Sequence, residues 1–192
     1  MNLTLIKKSA LNNLFNQYLS TPNALLQFPG SSTIVFGEGN SNAHLVFIGE
    51  GPGQQEDEQG RPFVGKSGKL LNKLLDIANL SREEVYITNI VKTRPPNNRK
   101  PTLQEIAFSM PLLIQQLNII QPRLVCTLGS SALQGFTSNP ISISQARGEI
   151  ITINDIKILP TYHPAYILRN PKELKQLADD IIKAANYVRN DP

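Results

Sequence analysis

The opening segment over residues 3–19 carries apolar residues at Leu5, Leu11, Leu14, Phe15 and Leu19, a spacing that predicts an amphipathic helix packed on one edge of the molecule. A polar stretch containing Gly and Pro follows over 20–42. Leu45-Val46-Phe47-Ile48 is then a continuous apolar run that breaks at Gly49-Glu50-Gly51-Pro52-Gly53, the pattern of a buried strand entering a tight loop. Helical spacing resumes over 67–79, with Leu70, Leu71, Leu74, Leu75 and Ala78 on one face, and a second strand is predicted over 85–91. Thr102, with Glu105 three residues on, reads as a capping box that opens a helix through Leu117. Residues 123–128 form a third apolar strand and 130–136 a short helix. Paired strands over 149–153 and 157–159 flank a turn at Asn154-Asp155, and 174–188 forms a last helix. Strands alternating with helices predict an α/β fold whose mainly parallel sheet is covered on both faces.

The 192 residues, 40% hydrophobic and 18% charged, suffice for one well-buried domain and lie far from the composition of disordered chains. No run reaches the length of a membrane span, and MNLTLIKKSALNNLF lacks the apolar core of a signal peptide, so a cytoplasmic protein is expected. The single cysteine, Cys126, reads as a buried core thiol that has no partner for an internal disulfide. With two histidines it cannot build the usual four-ligand zinc site. A net charge of +4, from 19 Lys and Arg against 15 Asp and Glu, favours a polyanionic partner without requiring one.

Ligands of such sheets bind beyond the carboxyl ends of the strands, which directs attention to three unusual segments. These are GEGPGQQEDEQGRPFVG over 49–65, the basic, proline-rich KTRPPNNRKP over 92–101, and PTYHPAYILRN over 160–170. The first is far longer than an ordinary strand-to-helix connection. Its glycines let backbone N–H groups approach a ligand, but neither a GxGxxG pattern nor a Walker lysine supports a nucleotide cofactor. Alone it reads as a tight turn.

Together the segments say more. VFGEGN (35–40), GEGPGQQED (49–57), GRPFVGKSGKLL (60–71), VYITNIVKTRPPNNRKPT (85–102), TLGSSAL (127–133) and LPTYHPAYILRN (159–170) resemble, in this order and spacing, the uracil-DNA glycosylase superfamily and most closely its family 4. The resemblance runs over residues 35–188. It implies a three-layer α/β/α sandwich around a central, mainly parallel four-stranded sheet, with 1–192 as a single domain and 1–32 as a helical extension packed on it. It also implies a monofunctional DNA N-glycosylase that flips deoxyuridine out of DNA and hydrolyses the N-glycosidic bond, initiating base-excision repair.

Residue by residue, Phe63 matches the family's stacking aromatic. Asn89 matches the asparagine whose amide reads O4 and N3–H of uracil and rejects cytosine. Glu56 matches the position beside C5 that excludes the thymine methyl, and His163 the histidine that donates to O2 as charge develops on the leaving base. Glu50, Gly51 and the nearby backbone match the place of the attacking water. The related family 1 enzymes carry an aspartate where Gly51 stands, so no general base is assigned and stabilisation of the leaving base carries more of the reaction. Without the resemblance these residues read as a core Phe, a strand-ending Asn, a solvated acid and a surface His; His44 is taken as structural. Lys66, Lys69, Arg94, Arg99, Lys100 and Arg169 are expected on DNA phosphates. Tyr166, with Ile167 and Leu168, is expected to fill the space left by a flipped base, packing of Ile167 or Leu168 into the domain being the alternative.

The chain departs from the family in one respect. Family 4 enzymes typically hold an iron–sulfur cluster on four cysteines: two in a CxxC near the amino terminus, one in KCRPP and one in the following helix. Here that segment is Lys92-Thr93-Arg94-Pro95-Pro96, Ser109 best matches the helix position, and no cysteine precedes Cys126. The expectation is a protein with no cofactor and no metal, in which Leu25, Leu26, Phe28 and Phe108 pack in place of the cluster. Asn97, Asn98 and Arg99 lack the histidine by which another branch traps DNA covalently, so turnover is expected. Expected partners are uracil-containing DNA, single- or double-stranded, and downstream base-excision repair proteins, for a monomer away from membranes. Two other readings stay open: a DNA-binding module that kept the pocket but lost the chemistry, and a glycosylase shifted toward hypoxanthine or other deaminated bases.

Overall fold

The apolar runs LVFIG and LVCTL are buried at every position, as strands covered on both faces must be. In the computed structural model, which describes residues 2–20, 31–137 and 141–190, they lie at the centre of the sheet. In chain order the elements are α1 (Leu3–Leu19), β1 (Glu38–Gly39), β2 (Leu45–Gly49), α2 (Gln54–Gln59), α3 (Lys66–Ile77) and β3 (Tyr86–Asn89). There follow α4 (Leu103–Ile120), β4 (Leu124–Leu128), α5 (Ser130–Gln134), α6 (Ile143–Ala146), β5 (Ile151–Ile153), β6 (Ile156–Thr161), α7 (Pro164–Arg169) and α8 (Leu174–Asn190).

The strand order is β1-β3-β2-β4-β6-β5. The four inner strands run parallel, and β1 and β5 pair antiparallel at the edges. Among the described residues the sheet therefore has six strands where four are expected: two-residue β1 gives no periodicity to read, and β5 joins through the hairpin to β6. That hairpin turns at Asn154 and Asp155 with φ of 48° and 63°, the left-handed conformation such residues tolerate.

Alternation along β2 sends Val46 and Ile48 to one apolar layer and Leu45 and Phe47 to the other. The first layer lies under α1 and α4, through Leu11, Leu14, Leu113 and Leu117, and the second under α3 and α8, through Leu71, Leu75, Leu177 and Ile181. The result is a three-layer sandwich. The Phe15 and Phe36 rings, 4.9 Å apart, fasten α1 to it, and Lys7 Nζ donates to the Ile120 carbonyl at 2.7 Å, where the end of α4 presents an unpaired acceptor. The capping box is present: Thr102 Oγ1 accepts from the Glu105 N–H at 3.3 Å, and Glu105 accepts from the Thr102 N–H at 2.6 Å. Cys126 is buried in β4 and its thiol pKa is pushed up by burial. No described helix is long and apolar enough to cross a membrane.

Two of the supposed loops contain helices. α2 interrupts the first, and in the third Pro160 and Thr161 belong to β6 while α7 follows directly after His163. The parallel register pairs Gly49 with Asn89 and Leu128 with Thr161, which brings the ends of all four inner strands to one edge. The first loop is pressed against α3 there: a Cβ on Gly68 would come within 1.8 Å of the Phe63 carbonyl oxygen. Replacing an interior helical glycine by alanine ordinarily stabilises by about 1 kcal/mol. Gly68→Ala is instead expected to destabilise by about 1–3 kcal/mol, read from the urea midpoint, and a raised midpoint would contradict this packing.

Candidate active site

Beyond the ends of the inner strands lies a cavity of about 650 Å³. Against its lining residues Asn89 and Phe63 packs Gly49, where a Cβ would stand 2.4 Å from Asn89 Oδ1 and 2.5 Å from Phe63 Cζ. The missing side chain lets the ring and the amide meet. Phe63 takes φ = 52°, uncommon for any residue but glycine, so its conformation must be held from outside. Arg82 does this by donating to the carbonyls of Pro62 and, at 3.2 Å, Phe63. Glu38 in turn accepts from Arg82 at 2.6 Å and from Arg61 at 2.8 Å. Burial pushes the Glu38 carboxyl up, but the hydrogen bonds and charges of the two guanidiniums outweigh it and leave the pKa below its ordinary value.

Asn89 is 1% exposed, and its Oδ1 has no hydrogen-bond partner among the described residues. A buried orphan acceptor costs about 1–3 kcal/mol, a cost that a ligand donor would remove. Below it Lys92, completely buried, donates from Nζ to Thr88 Oγ1 at 2.7 Å and to the Asn89 carbonyl at 2.8 Å. Burial holds the Lys92 amine far below its usual pKa.

The Phe63 and His163 rings face the same space, with centroids 5.7 Å apart and planes tilted by 33°. His163 is the residue that caps α7: its Nδ1 accepts from the Ala165 N–H at 3.0 Å. Burial, then the nearby Arg169 charge, lowers its pKa to about 4. The imidazole is thus neutral at pH 7 with its proton on Nε2, which leaves one N–H donor for the cavity. Gly129, at φ = 91°, permits the close approach to His163, since a Cβ there would lie 3.0 Å from His163 Cβ. Behind this corner Thr161 donates to Asp180, which Arg147 pairs at 2.9 Å, and the Arg147 guanidinium lies 5.6 Å from the Tyr162 ring centroid.

Glu56 lines the cavity as a fixed wall. Its Oε1 accepts from the Val64 and Gly65 N–H groups at 2.9 and 2.7 Å, and its Oε2 from Gly53 at 3.2 Å. Glu50 accepts from Ser131 Oγ, and Gly51 passes so close to Val91 that a Cβ would stand 2.7 Å from Val91 Cγ2. Lys66, Arg99, Lys100, Tyr166 and Arg169 rim the opening, whereas Lys69 and Arg94 lie outside the lining. Arg94 donates to Asn98 Oδ1 at 2.8 Å. Arg99 grips Glu105 with two bonds, which hold the Glu105 carboxyl down to about 2.

Some expectations are corrected. Ile167 is 2% exposed and packs in the core layer of α8, which leaves Tyr166, at 36%, and Leu168, at 48%, as the exposed large hydrophobic side chains of α7. Phe108 is 55% exposed and replaces no cluster contact, while Leu25, Leu26 and Phe28 lie outside the described residues. His44 is exposed and contributes only its carbonyl, which accepts from Arg123 and Leu124. The residues present do not fit an iron–sulfur cluster: Thr93 and Ser109 are buried hydroxyl side chains, the Thr93 Oγ1 has no hydrogen-bond partner among the described residues, and Cys126 stands in the sheet core. Glu38, Arg82 and Ser131 escape sequence reading because their partners are distant in the chain, 81 residues apart for Ser131 and Glu50.

The family model described as the Uracil DNA glycosylase superfamily matches residues 36–186. A Type-4 uracil-DNA glycosylase of Thermotoga maritima is 44% identical over 164 residues, covering 83% of this chain and 85% of that protein. One from Saccharolobus solfataricus is 45% identical over 165 residues, covering 81% and 76%. A DNA polymerase of Bacillus phage SP01 is 33% identical over 137 residues, 71% of this chain but only 15% of the polymerase.

The low His163 pKa has a consequence for stability. An unfolded imidazole takes up its proton near pH 6.5 and the folded one only near pH 4, so stability held above 6.5 is lost as the pH falls through that window. The melting-temperature advantage of wild type over His163→Gln is expected to fall between pH 6.5 and 4; an advantage independent of pH would contradict the buried, neutral imidazole.

Proposed function

Since this chain belongs to the uracil-DNA glycosylase superfamily, we propose that it is a monofunctional uracil-DNA glycosylase that flips deoxyuridine out of DNA, hydrolyses its N-glycosidic bond and leaves an abasic site for base-excision repair. The observation that carries this reading is the buried, unpartnered Asn89 Oδ1 beside the Phe63 and His163 rings. The base stacks on Phe63, with N3–H donating to Asn89 Oδ1 and O4 accepting from the Asn89 amide N–H. Cytosine offers an acceptor at N3 and a donor at N4, so both bonds would be mismatched in a buried site. Glu56, fixed by three backbone N–H groups, meets C5 and leaves no room for a thymine methyl.

As the bond from C1′ to N1 breaks, its electron pair passes to the base and charge develops on O2. The Nε2–H of neutral His163 donates there, already oriented by the Ala165 bond. Water adds to C1′ and releases its proton to solvent; Glu50, held by Ser131, and the Gly51 turn position that water. Lys66, Lys69, Arg94, Arg99, Lys100 and Arg169 meet DNA phosphates, and Tyr166 and Leu168 fill the vacated stack. In this reading residues 1–192 act as one domain, with 1–32 as its extension, in a cytoplasmic monomer without a cofactor.

Purified protein in a chelator, given single-stranded and duplex oligonucleotides with one uracil and then alkali, is expected to yield strands broken at that base. His163→Ala is expected to slow excision about 10²–10³-fold and Asn89→Ala to abolish selective cleavage. Undiminished excision by the double variant would overturn these roles. Binding without excision would favour a DNA-binding module, and faster release of hypoxanthine a different lesion.

A further inference from the structure

Asp57 lies in α2, inside the first loop, and is 4% exposed with no ion-pair partner among the described residues. Its carboxylate is satisfied by one short segment. Oδ1 accepts from Ser31 Oγ at 3.1 Å, from the Ser32 N–H at 3.1 Å and from the Thr33 N–H at 3.0 Å, and Oδ2 accepts from Ser32 Oγ at 2.9 Å. Burial alone would raise the carboxyl, yet the bonds from Ser32, Thr33 and Ser31 outweigh it and hold its pKa below the ordinary value.

The same segment reaches the second loop. Ser31 Oγ, whose proton is within reach of Asp57 Oδ1 and, at 3.3 Å, of the Thr33 carbonyl, accepts from the Arg94 N–H at 3.2 Å, and the Val35 N–H donates to the Lys92 carbonyl at 2.7 Å. These contacts bracket Thr93, which stands where the resembled family has a cluster thiolate, and Lys92 holds the Asn89 carbonyl. One strap, 31–35, thus joins the loop bearing Phe63 to the loop that follows Asn89.

We propose that Asp57 is a positioning residue that ties the strap over 31–35 across both loops and so fixes Phe63 relative to Asn89. It touches no base. Its effect on excision rests on the base-pocket reading above; its effect on loop order does not.

The test uses the full chain with Asp57→Asn, which keeps size but turns an amide N–H₂ toward donors, and Ser31→Ala, which removes the bond to Arg94 and one of the bonds to Asp57. Hydrogen exchange of peptides spanning 31–35 and 92–95, melting temperature, and kcat and KM on a uracil oligonucleotide are measured. In Asp57→Asn, exchange in both peptides is expected to quicken about tenfold or more while β4 and α8 stay protected, and kcat to fall about tenfold with a smaller change in KM. Ser31→Ala should loosen 92–95 by a similar factor and decides the matter if Asp57→Asn does not fold. Unchanged exchange at 92–95 in the folded variants, or loosening spread evenly over the molecule, would overturn the proposal. If wild type excises nothing, the base-pocket reading fails, and the exchange data still decide whether Asp57 makes the tie.

Discussion

The cavity depends on Gly49 having no side chain. Parallel pairing sets Gly49 beside Asn89 at the ends of adjacent strands, and a Cβ at Gly49 would collide with both the Asn89 amide and the Phe63 ring. The ring reaches that spot only because the chain bends through a left-handed conformation at Phe63 just before α3. That bend is held by contacts outside the cavity, through Arg82 on two carbonyls, Glu38 on Arg82 and the close packing of Gly68. Strain at the site is therefore offset by an ion-pair clamp that no ligand needs to touch.

Charge is arranged with equal economy. Both carboxylates of α2 that face inward, Glu56 and Asp57, are taken up by backbone and hydroxyl donors. Lys92 is buried without a carboxylate partner among the described residues, and His163 is kept neutral by burial. Among the described residues the cavity thus presents the unpartnered Asn89 Oδ1 and the oriented His163 Nε2–H, while cations gather at its rim. Such an interior suits a flat, neutral ligand that acquires negative charge as it leaves, because the donors need no rearrangement when the charge appears.

The parallel strands, the long helices and the Thr102 capping box were legible because each repeats a local pattern over several residues. β1, α2 and α7 were not: two to six residues give too little periodicity to distinguish an element from a loop. Phe63, Asn89 and His163 were legible only as a resemblance, since nothing in their neighbours' spacing brings three separate loops to one point. Lys92 stands in a basic, proline-rich stretch of sequence, and its burial on the Thr88 hydroxyl and the Asn89 carbonyl has no sequence signal, since lysine is rarely buried. Ile167 and Leu168 differ in burial because α7 turns one inward, and six helical residues leave no periodicity in the sequence to show which.

The most direct measurement is a nuclear magnetic resonance titration of the protein with free uracil and with 3-methyluracil, following the Asn89 side-chain amide and the His163 Nε2–H. The methylated base lacks the N3–H that an unpartnered Asn89 Oδ1 would accept. Uracil is predicted to shift both signals and 3-methyluracil to leave them nearly unmoved. Equal shifts with the two bases, or shifts confined to residues outside the cavity, would contradict the central claim that Asn89 and His163 together read this base.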